Sequence, residues 1–562
     1  MNNTKTKNKN LKNKNKNTNS KNVTVNTVSR QNTFEYLIVN IICLFLFVAF
    51  GYISIMSFLQ TSVFDEAAYS SEKVLYEMDN IALNIFCTVI FTIFVFKMRK
   101  HYDFFAKVDL RFMEVGLVIY TILLGFIWIF SVSSIPAADS QSVFETATGA
   151  AVGDYSSITG NGEFHNSAYY DGHAYYNFYP FQLGFVFISE IIYRIFGTSS
   201  SMSLQVINVI CVAIAYLGIV KITKYIFKRR SIQFITILLL AGCFQPMLFC
   251  TFVYGNIIGM CCAIWASYFL IRYFQTSKYI LLLPCAALLV LATMAKYNNM
   301  IYLVAFVIML IVHTVKEKKW QNIAFALAIC VATVGINNLI IISYENRANT
   351  DLADGVSQVM YLDMGLNESY MAPGWYNGLA LETYKNSNLD NKTAEQKAWS
   401  DIKNRIDVFG SNPVYTIDFF GKKIVSQWNE PTFESIWVSE VKAHSYDVNS
   451  IGNGMYNGSL GQFFELYFNL YMQILYLLFT IGIYCLFLKR KTNIETVLLL
   501  LVVLGGFGYH LLFEAKSQYI LTYIILLIPT AAFGMNTILE GKYTKVKEFI
   551  GKLKAIPETK NA

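Results

Sequence analysis

The stretch "FMEVGLVIYTILLGFIWIFSVSSIPAADSQSVFETA", residues 112–147, passes abruptly from an apolar run into a polar loop. The apolar part, residues 112–134, is long enough to cross a bilayer, because a membrane helix needs about 20 apolar residues. Asp139 follows shortly after it, and neither Asp139 nor the next acids, Glu145 and Asp154, has a Lys or Arg nearby in the sequence. The stretch therefore predicts a membrane helix that ends in an acidic loop free of cations.

The composition of the whole chain is that of a membrane protein. Of its 562 residues, 55% are hydrophobic and only 15% are charged, whereas soluble proteins carry about 25% charged residues. The formal net charge of +8 arises in residues 1–33, which contain Lys and Arg but no acid. Such a segment is typical of a disordered cytoplasmic tail that touches anionic lipid. Nucleic-acid binding is an alternative that a solvated charge run does not favour.

Twelve apolar segments are long enough to be read as membrane spans. They cover residues 36–59, 80–96, 112–133, 202–224, 231–253, 256–273, 279–295, 298–315, 321–343, 466–488, 494–513 and 518–539. If these segments alternate in direction, the basic connections at 97–111, 224–230, 316–319 and 489–491 all fall on one face. Because cations resist translocation, that face is predicted to be cytoplasmic, with both termini on it.

The apolar segment 178–197 is predicted not to span the membrane. If it crossed, the basic turn at 224–230 and every later connection would change sides. We therefore expect a helix that lies at the outer interface, with Pro180 in its first turn and Gly197 at its end.

The spans and connections divide the chain into six parts. They are a basic tail (1–33), an N-terminal transmembrane hairpin (34–111), a transmembrane core (112–343) with an outer loop at 134–200, an extracytoplasmic segment (344–465), C-terminal spans (466–541) and a second basic tail (542–562). The extracytoplasmic segment is long enough to form a small domain. The predicted fold class is an all-α polytopic membrane protein with about 12 transmembrane helices.

Asp139 is a candidate catalytic residue. Near a membrane interface its carboxylate is predicted to be partly desolvated, which raises its proton affinity. It then suits a general base that accepts a proton from a hydroxyl nucleophile. The alternative is structural, because Asp139 precedes "SQSVFETATGA", which resembles a helix start, and Asp is a favoured N-cap residue. The pattern by itself favours the cap, since capping acids outnumber catalytic ones.

Further charged residues lie where spans are predicted to meet the outer face. Lys296, in "TMAKYNN", lies between two spans, where a cation needs a counter-charge such as a phosphate on a lipid carrier. The alternative is a lysine that snorkels at a helix end. Glu514 and Lys516, in "FEAKSQY", repeat this geometry beside Tyr519, either as ligand-binding residues or as a local ion pair.

A divalent cation has one candidate site in the sequence. His165, Asp171 and His173, in "EFHNSAYYDGH", offer nitrogen and oxygen ligands, although such a cluster also arises by chance in a loop of this composition. All ten cysteines lie in apolar runs without zinc-type spacing. Neither a metal–thiolate site nor a disulfide framework is therefore predicted.

The order of these parts resembles the GT-C membrane glycosyltransferases, and most closely glycosyltransferase family 39, the protein O-mannosyltransferase and aminoarabinose transferase type. The resemblance rests on "IPAADSQSVFETA", "YYNFYPFQLGFVFISEIIYRIFG", "AKYNN" and "FEAKSQYILTYIILLIP", and extends over residues 112–340 and the last spans.

The resemblance implies roles for individual residues. Asp139 matches the family's first-loop acid, the proposed general base. Lys296 matches a lysine that holds the phosphate of a polyprenyl-phosphate donor, and Lys516 is a second candidate for that phosphate. Tyr179 and Asn256 depart from the pattern, since some members carry a lysine and an acid at these places. The residues expected to line the cavity are Tyr179, Gln182, Asn256, Glu514 and Tyr519.

The resemblance also implies a function. A sugar is expected to pass from a polyprenyl-phosphate-linked donor to an envelope glycan, glycopolymer or glycolipid on the outer face of the cell membrane, with inversion in one displacement. A lipid-linked donor fits an outward-facing site because nucleotide sugars are absent there. The alternative is a transporter or flippase of lipid-linked saccharides, which typically shows internal repeats. A third interpretation treats 344–465 as a binding module that the spans anchor.

Overall fold

The computed structural model describes residues 37–159, 174–442, 445–488 and 494–541. Two antiparallel strands, β1 (Gln60–Phe64) and β2 (Val74–Met78), form a hairpin. The helices are α1 (Leu37–Leu59), α2 (Ile81–Met98), α3 (Tyr102–Lys107), α4 (Leu110–Val132), α5 (Asp139–Val152), α6 (Ser156–Thr159), α7 (Leu183–Phe196), α8 (Met202–Phe227), α9 (Arg230–Gly242), α10 (Gln245–Leu248), α11 (Asn256–Thr276), α12 (Leu282–Ala295), α13 (Met300–Glu317), α14 (Gln321–Ala348), α15 (Gln358–Leu366), α16 (Leu379–Lys385), α17 (Asn391–Ser411), α18 (Pro413–Trp428), α19 (Ser435–Trp437), α20 (Ser450–Asn457), α21 (Ser459–Phe487), α22 (Val497–Leu512) and α23 (Ser517–Glu540).

Most of the long helices have the length and apolar composition of membrane spans. Within the described ranges nine helical segments pass that test: α1, α2 continued through α3, α4, α8, α11, α13, α14, α21 and α23. Helices α9 and α10, bent by 43° at their junction, count as a tenth if they form one span. The other two predicted spans correspond to α12 and α22, which are shorter apolar helices. Each predicted span thus coincides with a helix, and the all-α polytopic membrane class is confirmed, whereas a count of twelve spans is not.

Helix α23 lies at the centre of the bundle and is buried almost all round. Its neighbour α21 approaches it at two glycines that lack a side chain at the contact. A Cβ atom at Gly482 would collide with the carbonyl oxygen of Thr530, and one at Gly534 with that of Leu478. Small residues let membrane helices pack backbone against backbone. Helix α21 therefore holds α23 in place.

Helix α7 lies in segment 178–197, which is predicted not to span the membrane. It is not among the helices that qualify as spans. It begins after the turn Pro180–Gln182, and the chain leaves it at Gly197, whose φ of 92° suits glycine. Its Gly184 packs against the backbone of Met294 at the end of α12. The first turn of α7 thus packs against the end of α12.

The connections at this end of the bundle, which we term the cavity end, are bonded to one another. The hairpin donates from the Ser62 amide to the Asn429 carbonyl and from the Val74 amide to the Met371 carbonyl, each at 2.9 Å. The described part of the 344–465 segment has a small core of its own around Met360, Met364, Tyr384 and Ala398. This segment therefore forms a helical cap that is joined to the spans.

Candidate active site

A cavity of about 570 Å³ opens at the cavity end of the bundle. If the twelve predicted spans alternate in direction, six connections lie at this end. Each of them contributes to the cavity wall. They supply Glu72 (after α1), Asp139 and Tyr179 (after α4), Tyr254 (before α11), Lys296 (after α12), Gln358, Tyr361 and Trp437 (after α14), and Glu514 and Lys516 (after α22). The contribution of all six connections shows that they share one end of the bundle.

Asp139 is the first residue of α5 and lies half-buried on the cavity wall. It is not the N-cap: that position is taken by Ala138, whose φ of 50° and ψ of −131° turn the chain sharply into the helix. The hydroxyl of Ser140 instead donates to the Ala137 carbonyl at 2.7 Å. Among the described residues, no hydrogen bond or ion pair engages the Asp139 carboxylate. The capping role that the sequence pattern favoured is therefore not adopted.

Lys296 leaves the end of α12 with an extended backbone and reaches the cavity. Its ammonium nitrogen lies 4.0 Å from the ring centroid of Tyr254 and 5.8 Å from that of Tyr519. The Tyr254 hydroxyl in turn accepts a hydrogen bond from the Gln182 side chain. A cation over an aromatic face gains roughly 0.5–2 kcal/mol, so these rings hold the ammonium group at the cavity.

Glu514 is half-buried in the connection between α22 and α23. Its backbone amide donates to the Tyr361 carbonyl at 3.1 Å, and its carboxylate accepts a hydrogen bond from the Tyr519 hydroxyl at 3.1 Å. Burial raises the pKa of Glu514, and the negative charge of Asp139 raises it further, while Lys516, Tyr519 and Lys296 oppose the rise. Asp139, Lys296 and Lys516 of the wall thus act electrostatically on Glu514.

Lys516 forms an ion pair with Glu72, which the hairpin connection carries at the cavity wall. Both side chains are nearly buried. Burial by itself would lower the pKa of Lys516, but the charges of Glu72 and Glu434 raise it above its usual value, so the ammonium group stays protonated. The local pair of Glu514 with Lys516 considered from the sequence is thus replaced by a pair with Glu72.

Sequence reasoning missed Glu72 and most of the aromatic wall. The one available signal was the acidic run "DEAAYSSEK" at 65–73, in a connection that alternation places at the same end as Asp139. The aromatic side chains around the cavity are Tyr175, Tyr179, Phe181, Tyr254, Tyr297, Tyr361, Tyr376, Trp437, Tyr509 and Tyr519. Such rings offer flat apolar faces, and tyrosine adds a hydroxyl that donates and accepts hydrogen bonds.

The structure places most of the sequence-predicted residues together. Those on the cavity wall are Asp139, Tyr179, Gln182, Lys296, Glu514, Lys516 and Tyr519. Their chemical roles stay predictions.

Asn256 was expected to line the cavity but is a buried residue at the start of α11, outside the wall that the described residues form. The reason is the tight packing of Gly255, where a Cβ atom would overlap the Ala295 carbonyl. Tyr254, two residues before Asn256, lies on the cavity wall in its place.

The candidate metal ligands His165, Asp171 and His173 lie outside the described residues. Within the described ranges, no group of three or more His, Cys, Asp or Glu side chains is arranged to hold a metal ion. The predicted divalent cation therefore stays untested.

Part of the chain is similar to a known protein family. Residues 182–341 match the family model described as dolichyl-phosphate-mannose-protein mannosyltransferase. Among solved structures, the chain is similar to the crystal structure of the Archaeoglobus fulgidus oligosaccharyltransferase in complex with Zn and sulfate, with 14% identity and a TM-score of 0.37. That alignment covers 79% of this chain and 51% of the archaeal chain, so this chain spans about half the length of that protein. No curated protein matches the chain.

The family match includes Gln182, Tyr254 and Lys296 from the cavity wall, and it ends before Glu514 and begins after Asp139. It confirms the resemblance to GT-C glycosyltransferases that the sequence predicted. Together with the multi-pass helical architecture, it supports a membrane glycosyltransferase.

Proposed function

We propose that this protein transfers a sugar from a polyprenyl-phosphate-linked donor to a hydroxyl group of an envelope glycan, glycopolymer or glycolipid. The observation that carries the proposal is the cavity, which brings an open carboxylate, Asp139, and a ring-bound ammonium group, Lys296, to one space of about 570 Å³. Such a transfer needs one group to take a proton and another to balance the charge of the leaving phosphate.

The proposed reaction is a single displacement. The acceptor oxygen attacks the anomeric carbon, the bond from that carbon to the phosphate oxygen breaks, and the polyprenyl phosphate leaves with the electron pair. Asp139 takes the proton of the acceptor hydroxyl. Attack opposite the leaving group inverts the anomeric configuration. Phosphate is already a competent leaving group, so the protein contributes mainly position and charge.

Asp139 is the better candidate for the base because its carboxylate has no hydrogen-bond partner among the described residues. Glu514, the other acid in this part of the wall, already accepts a hydrogen bond from Tyr519, whose ring lies near the Lys296 ammonium group. We propose that Glu514 positions this ring. The aromatic wall would then offer apolar faces to the sugar and hydroxyl groups to its polar edge.

The donor phosphate is assigned to Lys296. Its ammonium group lies over tyrosine rings at the cavity, so a phosphate can approach it. Lys516 already has the carboxylates of Glu72 and Glu434 close by. Its contribution to phosphate binding is proposed to be secondary.

The cavity end is proposed to face outward from the cell membrane, with both termini in the cytoplasm. At the opposite end of the bundle, Arg229 pairs with Glu540 at the end of α23. The basic turn 224–230 lies there, and positive connections favour the cytoplasmic side. A lipid-linked donor fits an outward-facing site, because nucleotide sugars are absent there.

The test is the composition of envelope glycans, measured by mass spectrometry in a strain that lacks the protein. The strain is complemented with wild type, Asp139→Asn or Asp154→Asn at matched membrane levels. Asp154 is the control, since it is an exposed acid that follows the same helix and caps the next turn through the Ser156 amide. We expect wild type and Asp154→Asn to restore a sugar that Asp139→Asn does not.

Full restoration by Asp139→Asn would show that Asp139 is dispensable and overturn its assigned role. If deletion leaves a lipid-linked sugar trapped on the inner leaflet, the protein acts before transfer, as a flippase. In that case the transferase proposal fails as a whole.

A further inference from the structure

Helix α18 carries two contrasting faces. On its buried face, the Lys423 ammonium group donates to the carbonyl oxygens of Gly365 and, at 2.8 Å, Phe513, next to Glu514 in the chain. On its open face, Val414 is 79% exposed and Ile417 76% exposed. These two residues and Gly421 follow the spacing of a single helical stripe.

This stripe meets the side of a membrane span. A Cβ atom at Gly421 would lie 3.1 Å from the hydroxyl oxygen of Tyr52, a residue within α1. Tyr52 is itself 37% exposed, and Val48 and Ile55, which lie on the same face of α1, are exposed as well. The apolar stripe of α18 therefore continues the outer face of a span, which lipid contacts.

A second contact braces α18 against the next span. The Tyr76 hydroxyl donates to the Lys422 carbonyl at 3.3 Å, and Tyr76 belongs to β2, which leads directly into α2. Helix α18 thus lies beside the point where α1 leaves the bundle and α2 enters it. That point is where a membrane surface is expected, because α1 and α2 both qualify as spans.

The charges on α18 lie where an interfacial helix places them. Asp418 and Lys422 form an ion pair of 2.8 Å one turn apart, with side chains 56% and 48% exposed, beside the apolar stripe. A helix that lies in a membrane surface buries an apolar face at the edge of the acyl chains and keeps its charged face among the headgroups. The stripe and the pair reproduce this arrangement.

We propose that the N-terminal half of α18 lies in the leaflet at the cavity end, with Val414 and Ile417 inserted among phospholipid acyl chains. The helix then contacts lipid on one face, while Lys423 on the other face holds backbone beside Glu514. The cap of the cavity is thereby fixed at a set height relative to the bilayer. This contact is independent of the reaction assigned to the cavity.

The test uses the full chain in phosphatidylethanolamine–phosphatidylglycerol nanodiscs, with a nitroxide label at Ile417→Cys. The matched control is Asp418→Cys on the charged face, and Val414→Cys is a second position should the first variant fold poorly. The unsubstituted chain, whose ten cysteines are buried or half-buried, gives the background labelling. Power-saturation spectra compare collisions with oxygen, which enters acyl chains, and with a water-soluble nickel chelate.

We expect a severalfold higher ratio of oxygen to nickel collisions at 417 and 414 than at 418. Equal access of the nickel reagent to 417 and 418 would place the stripe in water and overturn the proposal. Shielding of 417 from both reagents would overturn it too, because protein, such as a second copy of the chain, would then cover the stripe.

Discussion

Two carboxylates near the cavity end, those of Glu190 and Asp139, have opposite hydrogen-bonding environments. Glu190, on α7 and 4% exposed, accepts hydrogen bonds from the Tyr344 hydroxyl at 2.5 Å, from Arg194 at 2.8 Å and from Arg347 at 3.1 Å. Burial opposes ionisation there, yet these donors lower the pKa of Glu190. Asp139 instead is half-buried at a cavity. A carboxylate with three donors ties helices together, whereas we propose that the Asp139 carboxylate serves a ligand.

The largest expected effect concerns Asp139. Asp139→Asn should lower the transfer rate by roughly 10²–10⁴-fold, the usual contribution of a general base, because the amide cannot accept the acceptor's proton. Its thermal unfolding temperature should stay close to that of wild type, since no described partner is lost. Transfer assays on purified protein and scanning fluorimetry check both halves. A stable variant with full activity would break the comparison.

The next effect concerns the ion pair of the hairpin with the last span. Lys516→Met should destabilise the protein by about 3 kcal/mol, because it leaves buried carboxylates without their cation. Adding Glu72→Gln to the same chain should restore part of this loss. A double-mutant cycle of unfolding temperatures measures the coupling. Loss of donor binding at unchanged stability would instead make Lys516 a phosphate ligand.

Glu190→Gln tests the contribution of the fully hydrogen-bonded carboxylate to stability. The change should destabilise the protein by on the order of 2 kcal/mol, less than for a fully buried pair because Arg194 and Arg347 are partly exposed. The fraction that stays folded should transfer sugar at the wild-type rate. Unfolding curves and assays normalised to folded protein give the two values. Loss of rate without loss of stability would mean that the Glu190 cluster also serves the reaction.

Another buried acid, Asp363, extends the comparison to the pH dependence of stability. Burial raises the pKa of Asp363 to about 7, and the charge of Asp401 adds to the rise. The unfolded chain ionises this carboxyl at its ordinary pKa, so folded protein binds the extra proton between pH 4 and 7, a window set by these two values. Stability should therefore fall as pH rises through this window and level off above it.

Asp363→Asn removes that titration. The variant should be more stable than wild type at pH 8 by on the order of 2 kcal/mol, and the difference should shrink toward pH 5. Unfolding temperatures of both proteins across this range provide the measurement. A difference that does not vary with pH would show that Asp363 does not titrate in this window.

The smallest effect concerns the backbone before Asp139. Ala138 has a φ of 50°, a region that favours glycine. Ala138→Gly should stabilise the protein by up to about 1 kcal/mol, because the relief of backbone strain outweighs the extra unfolded-state entropy that glycine brings. The readouts are the unfolding temperature and the transfer rate. A large loss of stability would show that the Ala138 methyl group packs usefully.

The sequence alone determined the long apolar helices of this protein. Apolar length and period located a helix at each predicted span, and the distribution of cations indicated that 178–197 does not cross. The same local patterns placed Asp139, Lys296 and Glu514 at the ends of spans. These features depend on neighbours within a few turns of helix, because transfer into the bilayer acts on each segment separately.

Only the tertiary structure decided which of these residues meet. The pair of Glu72 with Lys516 joins positions 444 residues apart, so no local pattern reports it. Tyr254 rather than Asn256 lies at the cavity, and Gly255 between them packs against the Ala295 carbonyl. Contacts of this kind arise from the packing of whole helices, whose close approach selects among side-chain directions that the sequence leaves equally available.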